Sequence, residues 1–193
     1  MSLRIRAALL TTAVLLVAQT WAIDARFEYE SFGLGFDAGF VVPEDVHPTV
    51  GWGGVMDFMF NMGDIGKLAI HPNVEMWISG NDYTQYDLTV FEIAFNGNFK
   101  YYFPLPSSIA VRPFVGNGID IISDILNYDW NAPFTGDDSD NHLGSGFEFI
   151  GGIDFPFTPS IIGNTEFKAK LGHYDLIKIS FGMVFLIKGN RGY

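Results

Sequence analysis

The reading of this chain turns on residues 32–42, Phe32-Gly33-Leu34-Gly35-Phe36-Asp37-Ala38-Gly39-Phe40-Val41-Val42. The even positions carry Phe32, Leu34, Phe36, Ala38, Phe40 and Val42. The odd positions carry Gly33, Gly35, Asp37, Gly39 and Val41. Side chains alternate between the two faces of a strand, so one face here is continuously apolar and the other small or polar. This is a period of two, not the 3.6 of a helix.

The same alternation runs on through the chain. Val50, Trp52, Met56, Phe58 and Phe60 oppose Gly51, Gly53, Asp57 and Met59. A third strand sets Leu68, Ile70, Val74, Met76 and Ile78 against Ala69, His71, Asn73, Glu75 and Ser79. Residues 87–103 place Phe91, Ile93, Phe95, Phe99, Tyr101 and Phe103 opposite Glu92, Ala94, Asn96, Asn98 and Lys100. Residues 109–121 oppose Ile109, Val111, Val115, Ile119 and Ile121 to Arg112, Gly116, Gly118 and Asp120. Residues 143–157 oppose Leu143, Phe147, Phe149, Ile153, Phe155 and Phe157 to Gly144, Gly146, Glu148, Gly152 and Asp154. Residues 165–174 set Phe167, Ala169 and Leu171 against Glu166, Lys168, Lys170 and Gly172. Residues 176–187 set Ile177, Ile179, Phe181, Met183, Phe185 and Ile187 against Lys178, Ser180 and Gly182. That predicts eight strands, each near or above the 9 to 11 residues of a tilted membrane strand. Links after the second, fourth and sixth strands read as tight. The link 122–142 reads as long.

Composition decides which face is inside. The chain has 193 residues, 48% hydrophobic and only 17% charged, with 16% aromatics. A typical domain carries about 25% charge, so an ordinary soluble enzyme is a poor fit. The aromatic content excludes a disordered acidic tail. The absence of cysteine excludes a disulfide scaffold and a thiolate metal site. A net charge of -11 argues against nucleic acid as a partner. A soluble barrel would bury the Phe face and expose the other. That other face is rich in glycine, which weakens a strand, and carries isolated charges of both signs. The crowded lumen of an eight-stranded barrel explains both: small residues fit, and opposite charges pair across it. In lipid, only a helix or a closed barrel satisfies every backbone N–H and C=O. The expected fold is therefore all-β: an eight-stranded, antiparallel, up-and-down transmembrane β-barrel. A secreted soluble barrel or sandwich is the alternative.

The N-terminus reads as an address. Arg4 and Arg6 precede the uncharged stretch Ala7–Ala18, and Thr20-Trp21-Ala22 supplies small residues at a cut after Ala22. This predicts a signal peptide over 1–22 and a barrel domain over 23–193. The apolar stretch is short of the roughly 20 residues of a spanning helix.

The sequence resembles the small eight-stranded outer-membrane proteins of diderm bacteria, the OmpA-barrel/OmpX/OmpW-like group. Arg112-Pro113-Phe114-Val115-Gly116-Asn117-Gly118 is similar to the Arg-Pro-aromatic-Val-Gly-x-Gly strand common in that group. Ser180, Gly182, Phe185 and Ile187 resemble the C-terminal signal read by the barrel-assembly machinery. Ile187 stands where an aromatic is usual, and Lys188–Tyr193 extend past it. The resemblance implies an outer-membrane location, with outer-membrane lipids and the assembly machinery as partners. It also implies short periplasmic turns and long outer loops. Those outer loops would lie near 43–49, 80–86, 122–142 and 172–175. They hold Glu44, Asp45, Asp82, Asp124, Asp129, Asp137, Asp138, Asp140 and Asp175 and no Lys or Arg. Such a rim either resists aggregation as a solvated surface or attracts divalent cations or basic partners.

The expected lumen network is Asp37, Asp57, Glu75, Glu92, Lys100, Arg112, Asp120, Glu148, Lys168 and Lys170, with Glu92 and Arg112 facing each other on neighbouring strands. The expected lipid face includes Phe32, Leu34, Phe36, Phe40, Phe91, Phe95, Phe147, Phe149, Phe181 and Phe185. No catalytic, cofactor or metal residues are assigned. Asp137-Asp138-Ser139-Asp140-Asn141 fails the EF-hand spacing. Gly33-x-Gly35-x-x-Ala38 lies within a strand with no helix after it, so it is not a dinucleotide site. His47, His142 and His173 fall near the rim and are checked as bases for a lipid-modifying enzyme. Trp52, Trp77 and Trp130 are candidates to line a narrow route for a small apolar solute. A structural or surface-interaction role in envelope integrity or adhesion is the leading expectation. The narrow transporter stands second and the enzyme third.

Overall fold

The alternating strands close on themselves. A computed structural model describes residues 27–44, 46–106, 109–130, 136–172 and 175–189, so the proposed leader, His173 and Tyr193 lie outside the described residues. The strands are β1 (Glu28–Pro43), β2 (Thr49–Asn61), β3 (Lys67–Asp82) and β4 (Tyr86–Tyr102). They continue as β5 (Arg112–Trp130), β6 (Gly136–Thr158), β7 (Ile161–Gly172) and β8 (Leu176–Gly189). Each pairs antiparallel with the next, and β8 returns to β1 from Ser31↔Gly189 to Pro43↔Leu176. Closure leaves no edge through the body of the sheet, as a membrane span requires.

The outward face is apolar around the ring. Phe40, Trp52, Phe95, Ile119, Phe167 and Phe181 are about half exposed or more. The inward face is tight. A side chain at Gly35 would overlap the carbonyl of Met183, and one at Gly152 the carbonyl of Thr165, whereas outward Gly54 and Gly97 have open space. Inward glycine is therefore a consequence of close strand approach.

The start of β1 and the end of β8 lie at the end of the barrel that carries the β2–β3, β4–β5 and β6–β7 links. Gly63–Ile65 form a short 3-10 turn in the first of these, and Gly66 closes it with φ 118°, a conformation that favours glycine. The β4–β5 link, expected to be tight, is the longest at this end, because β5 begins only at Arg112 and residues 109–111 lie outside the strand.

The far end corrects the sequence expectation most. The stretch 122–142 is not a long loop. β5 continues to Trp130, and β6 begins at Gly136. The ladder runs Asp82↔Asp87 across β3–β4, Tyr86↔Trp130 across β4–β5 and Trp130↔Gly136 across β5–β6. On the other side, β7 joins β6 only at Gly172↔Gly146. Strands β3 to β6 thus rise as a wall above the shorter β7, β8, β1 and β2, and no described strand pairs with residues 136–145 along their β7 side.

Candidate functional site

Two regions concentrate polar chemistry: the middle of the lumen and the top of the wall.

All eight strands contribute a charge to the lumen. Lys168 Nζ on β7 donates to Glu75 Oε1 on β3 at 2.6 Å and lies 3.3 Å from Glu148 Oε2 on β6. Lys170 Nζ donates to Glu92 Oε1 on β4 at 2.7 Å and contacts Asp120 Oδ2 on β5 at 3.1 Å. Lys178 on β8 bonds Asp37 on β1 and reaches Glu75 at 3.3 Å. Lys100 on β4 pairs with Glu166 on β7 at 2.6 Å, and its Nζ lies 3.2 Å from His71 Nε2. His71 Nδ1 in turn meets Asp57 Oδ2 on β2 at 3.0 Å. These lysines are almost wholly buried. A buried charge is tolerated only when paired and hydrogen-bonded. Here one lysine typically serves two carboxylates on different strands. Lys178 and Glu166, which the alternation already sets on the polar face of their strands, belong to the same network.

Arg112 and Glu92 are corrected. They do not face each other. Glu92 sits toward the far end, opposite Asp124 across β4–β5. Arg112 lies at the terminal end, in register with Asp154 on β6. Both have inward parity, but they occupy opposite ends of their strands, and parity alone gives no height.

Apolar side chains close the lumen above and below this layer. At the far end Val41, Trp77, Leu88, Val90, Leu126 and Leu176 pack together, with Val46 folded over them. At the terminal end Met59, Ala69, Tyr102, Phe114 and Ile150 form one cluster, and Val55, Ile162 and Val184 another. Trp77 is thus a plug residue, 4% exposed. Trp52 faces outward and Trp130 sits at the tip of the wall, so the three tryptophans line no common route.

The rim acids divide. Asp124 is fully buried in the lumen, not in a loop. Asp82, Asp87, Asp129 and Asp137 fall directly opposite one another across β3, β4, β5 and β6. Asp138 and Asp140 are on β6 as well. On the opposite face of the wall, the Tyr86 ring centre lies 4.9 Å from that of Tyr83, 5.2 Å from that of Trp130 and, edge-on, 5.5 Å from that of Tyr128.

This architecture has solved counterparts. The chain aligns with Neisserial surface protein A at TM-score 0.57 and 13% identity, covering 82% of this chain and 98% of that one. It aligns with Ail, the attachment invasion locus protein of Yersinia pestis, at TM-score 0.51 and 9% identity, covering 82% and 98%. The fold is that of the small eight-stranded outer-membrane β-barrels. No family model matches the sequence, and no curated protein matches it.

The remaining expected residues have clear places in this barrel. Leu34, Phe36, Phe40, Phe95, Phe181 and Phe185 point outward and are exposed, while Phe32, Phe91, Phe147 and Phe149 point outward with half-covered rings. Ser180 and Gly182 face the lumen; Phe185 and Ile187 face out. His142 Nε2 lies 3.0 Å from Asp140 Oδ2 at the top of β6. The Ser79 hydroxyl donates to the main-chain oxygen of His47, not to its ring.

Proposed function

We propose that this chain is a sealed barrel of the bacterial outer membrane, with a structural role in the envelope and a surface-contact role through its wall. The observation that carries the reading is the layered lumen: an ionic network across all eight strands, enclosed by apolar side chains at both ends. Such an interior supports rigidity and opposes conduction. Short turns face the periplasm in barrels of this kind, so the termini would lie there and the β3–β6 wall outside the cell. The signal peptide over 1–22 and insertion by the assembly machinery fit this orientation. The resemblance to a surface protein and to an attachment invasion locus protein supports contact with other surfaces. At His47 the neighbouring Ser79 hydroxyl is turned to the main chain and not to the ring, which favours this role over a serine–histidine lipid-modifying site there.

Two measurements test it. Mature protein should fractionate with membranes and show heat-modifiable gel mobility. Reconstituted in planar bilayers, it should give no stepwise conductance above the lipid baseline. Protein soluble without detergent ends the membrane reading, and regular conductance steps end the sealed reading in favour of a narrow transporter.

A further inference from the structure

We propose that the top of the β4–β5–β6 wall docks a basic polypeptide segment, seating lysine or arginine side chains against the Tyr83, Tyr86, Tyr128 and Trp130 rings and against Asp138 and Asp140, which share their face of the sheet. This rests on the surface-contact reading above and names the partner for it.

The ring cluster is both anchored and accessible. Tyr86 and Tyr128 pack down on the apolar cap of the lumen. Tyr83 and Trp130 are each 36% exposed. A ring face held in place and open to water attracts a cation through its quadrupole. Beside the cluster, on the paired β5 and β6 strands, is a hollow of about 440 Å³ lined by Asn127, Tyr128, Asp129, Asp137, Asp138 and Ser139. Three of those six residues are carboxylates.

Charge selects the occupant. Segments 78–89, 123–130 and 136–145 contain no Lys or Arg. Their aspartates include the cross-strand row Asp82, Asp87, Asp129 and Asp137. Like charges directly opposite on a sheet are destabilising, and a cationic partner relieves that repulsion. Anionic glycans and phosphate-bearing headgroups are repelled by the same field. A single metal ion is a poor occupant, since no three His, Asp or Glu among the described residues converge as a metal group. Positive charges spaced along a polypeptide that crosses the crest of the wall suit carboxylates on both of its faces, Asp138 and Asp140 with the rings on one and the aspartate row on the other.

The test uses the mature barrel in lipid nanodiscs, titrated with fluorescent decalysine and with decaglutamate and followed by anisotropy. Decalysine should bind saturably and decaglutamate should not. Trp130→Ala with Tyr83→Ala should weaken decalysine binding about fivefold or more, while Trp130→Phe, which keeps a ring face, should retain it. Asp129→Asn with Asp138→Asn should weaken binding and flatten its salt dependence. Heat-modifiable mobility verifies that each variant is folded; both ring positions are at the exposed tip. Absence of decalysine binding overturns the proposal. So does unchanged affinity in the ring double variant, which would leave only diffuse attraction, or displacement of decalysine by calcium well beyond that by sodium at equal ionic strength. Conductance or loss of membrane fractionation would sink the sealed-barrel reading instead, and leaves the peptide titration in detergent micelles readable on its own.

Discussion

The middle of the lumen and the top of the wall are both polar, and they treat charge in opposite ways. In the lumen, Lys100, Lys168, Lys170 and Lys178 each meet a carboxylate at hydrogen-bonding distance. On the wall, Asp82, Asp87, Asp129 and Asp137 stand opposite one another across the strands. Burial accounts for the difference. An unpaired charge inside the barrel costs several kcal/mol, so each buried lysine is held against a carboxylate. Water screens the wall, where an unbalanced row costs a fraction of that. The interior charges therefore serve closure, and the wall charges are free to serve recognition.

The contrast can be broken at its strongest point first. Lys168→Met takes the ion-pair partner from Glu148 and the nearer of two lysines from Glu75, and should cost about 3–5 kcal/mol, read as a lowered urea midpoint for loss of the heat-modifiable form. An unchanged midpoint would mean the network contributes nothing to closure. Trp77→Ala removes the largest side chain of the far-end cap and should cost a comparable 3–5 kcal/mol or slightly less. In the same variant, bilayer recordings ask whether the ionic layer alone blocks ions; silence is expected. Next comes the outward face. Phe36→Arg should cost about 2–4 kcal/mol at mid-bilayer, whereas Asn127→Arg, on the outward face of the wall, should be nearly neutral. Equal tolerance at both sites would refute the assigned lipid face. The smallest effect lies on the wall. Asp129→Asn relieves two cross-strand repulsions and should stabilise by about 0.2–1 kcal/mol, a gain that shrinks as salt rises. Destabilisation there would show that the aspartate row is held by something other than its neighbours.

The barrel body was legible because lipid and lumen impose opposite demands on alternate residues. Phe36 and Asp37, or Phe149 and Glu148, announce their faces. The wall was not legible, because above the lipid the demands reverse. Inward Ile122 and Leu126 are buried while outward Ser123 and Asn127 are exposed. Leu88 and Val90 likewise point in, with Asp87 and Thr89 out. Read with the membrane rule, these stretches look like loop; read as a soluble-type sheet, they continue the strand. Residues 136–142, Gly-Asp-Asp-Ser-Asp-Asn-His, alternate by neither rule. Their strand form is set by pairing with β5. The lumen pairs were legible as to members but not as to partners. Lys168 and Glu75 are 93 residues apart and meet across the barrel, a relation that only closure creates.

The distribution of lysines along the chain has a consequence for assembly. Lys168, Lys170 and Lys178 all lie on the last hairpin, β7–β8, while Asp37, Glu75, Glu92, Asp120 and Glu148 lie on β1 to β6. Before the ring shuts, the growing sheet is a curved acidic sheet and the arriving hairpin is a basic clasp. The hairpin supplies lysines that those carboxylates lack, so the final pairing of β8 with β1 is also the step that completes the ion pairs of the interior. A chain that stalls one hairpin short would carry an acidic gutter open to water, unable to sit in lipid and distinguishable by its charge from the finished barrel.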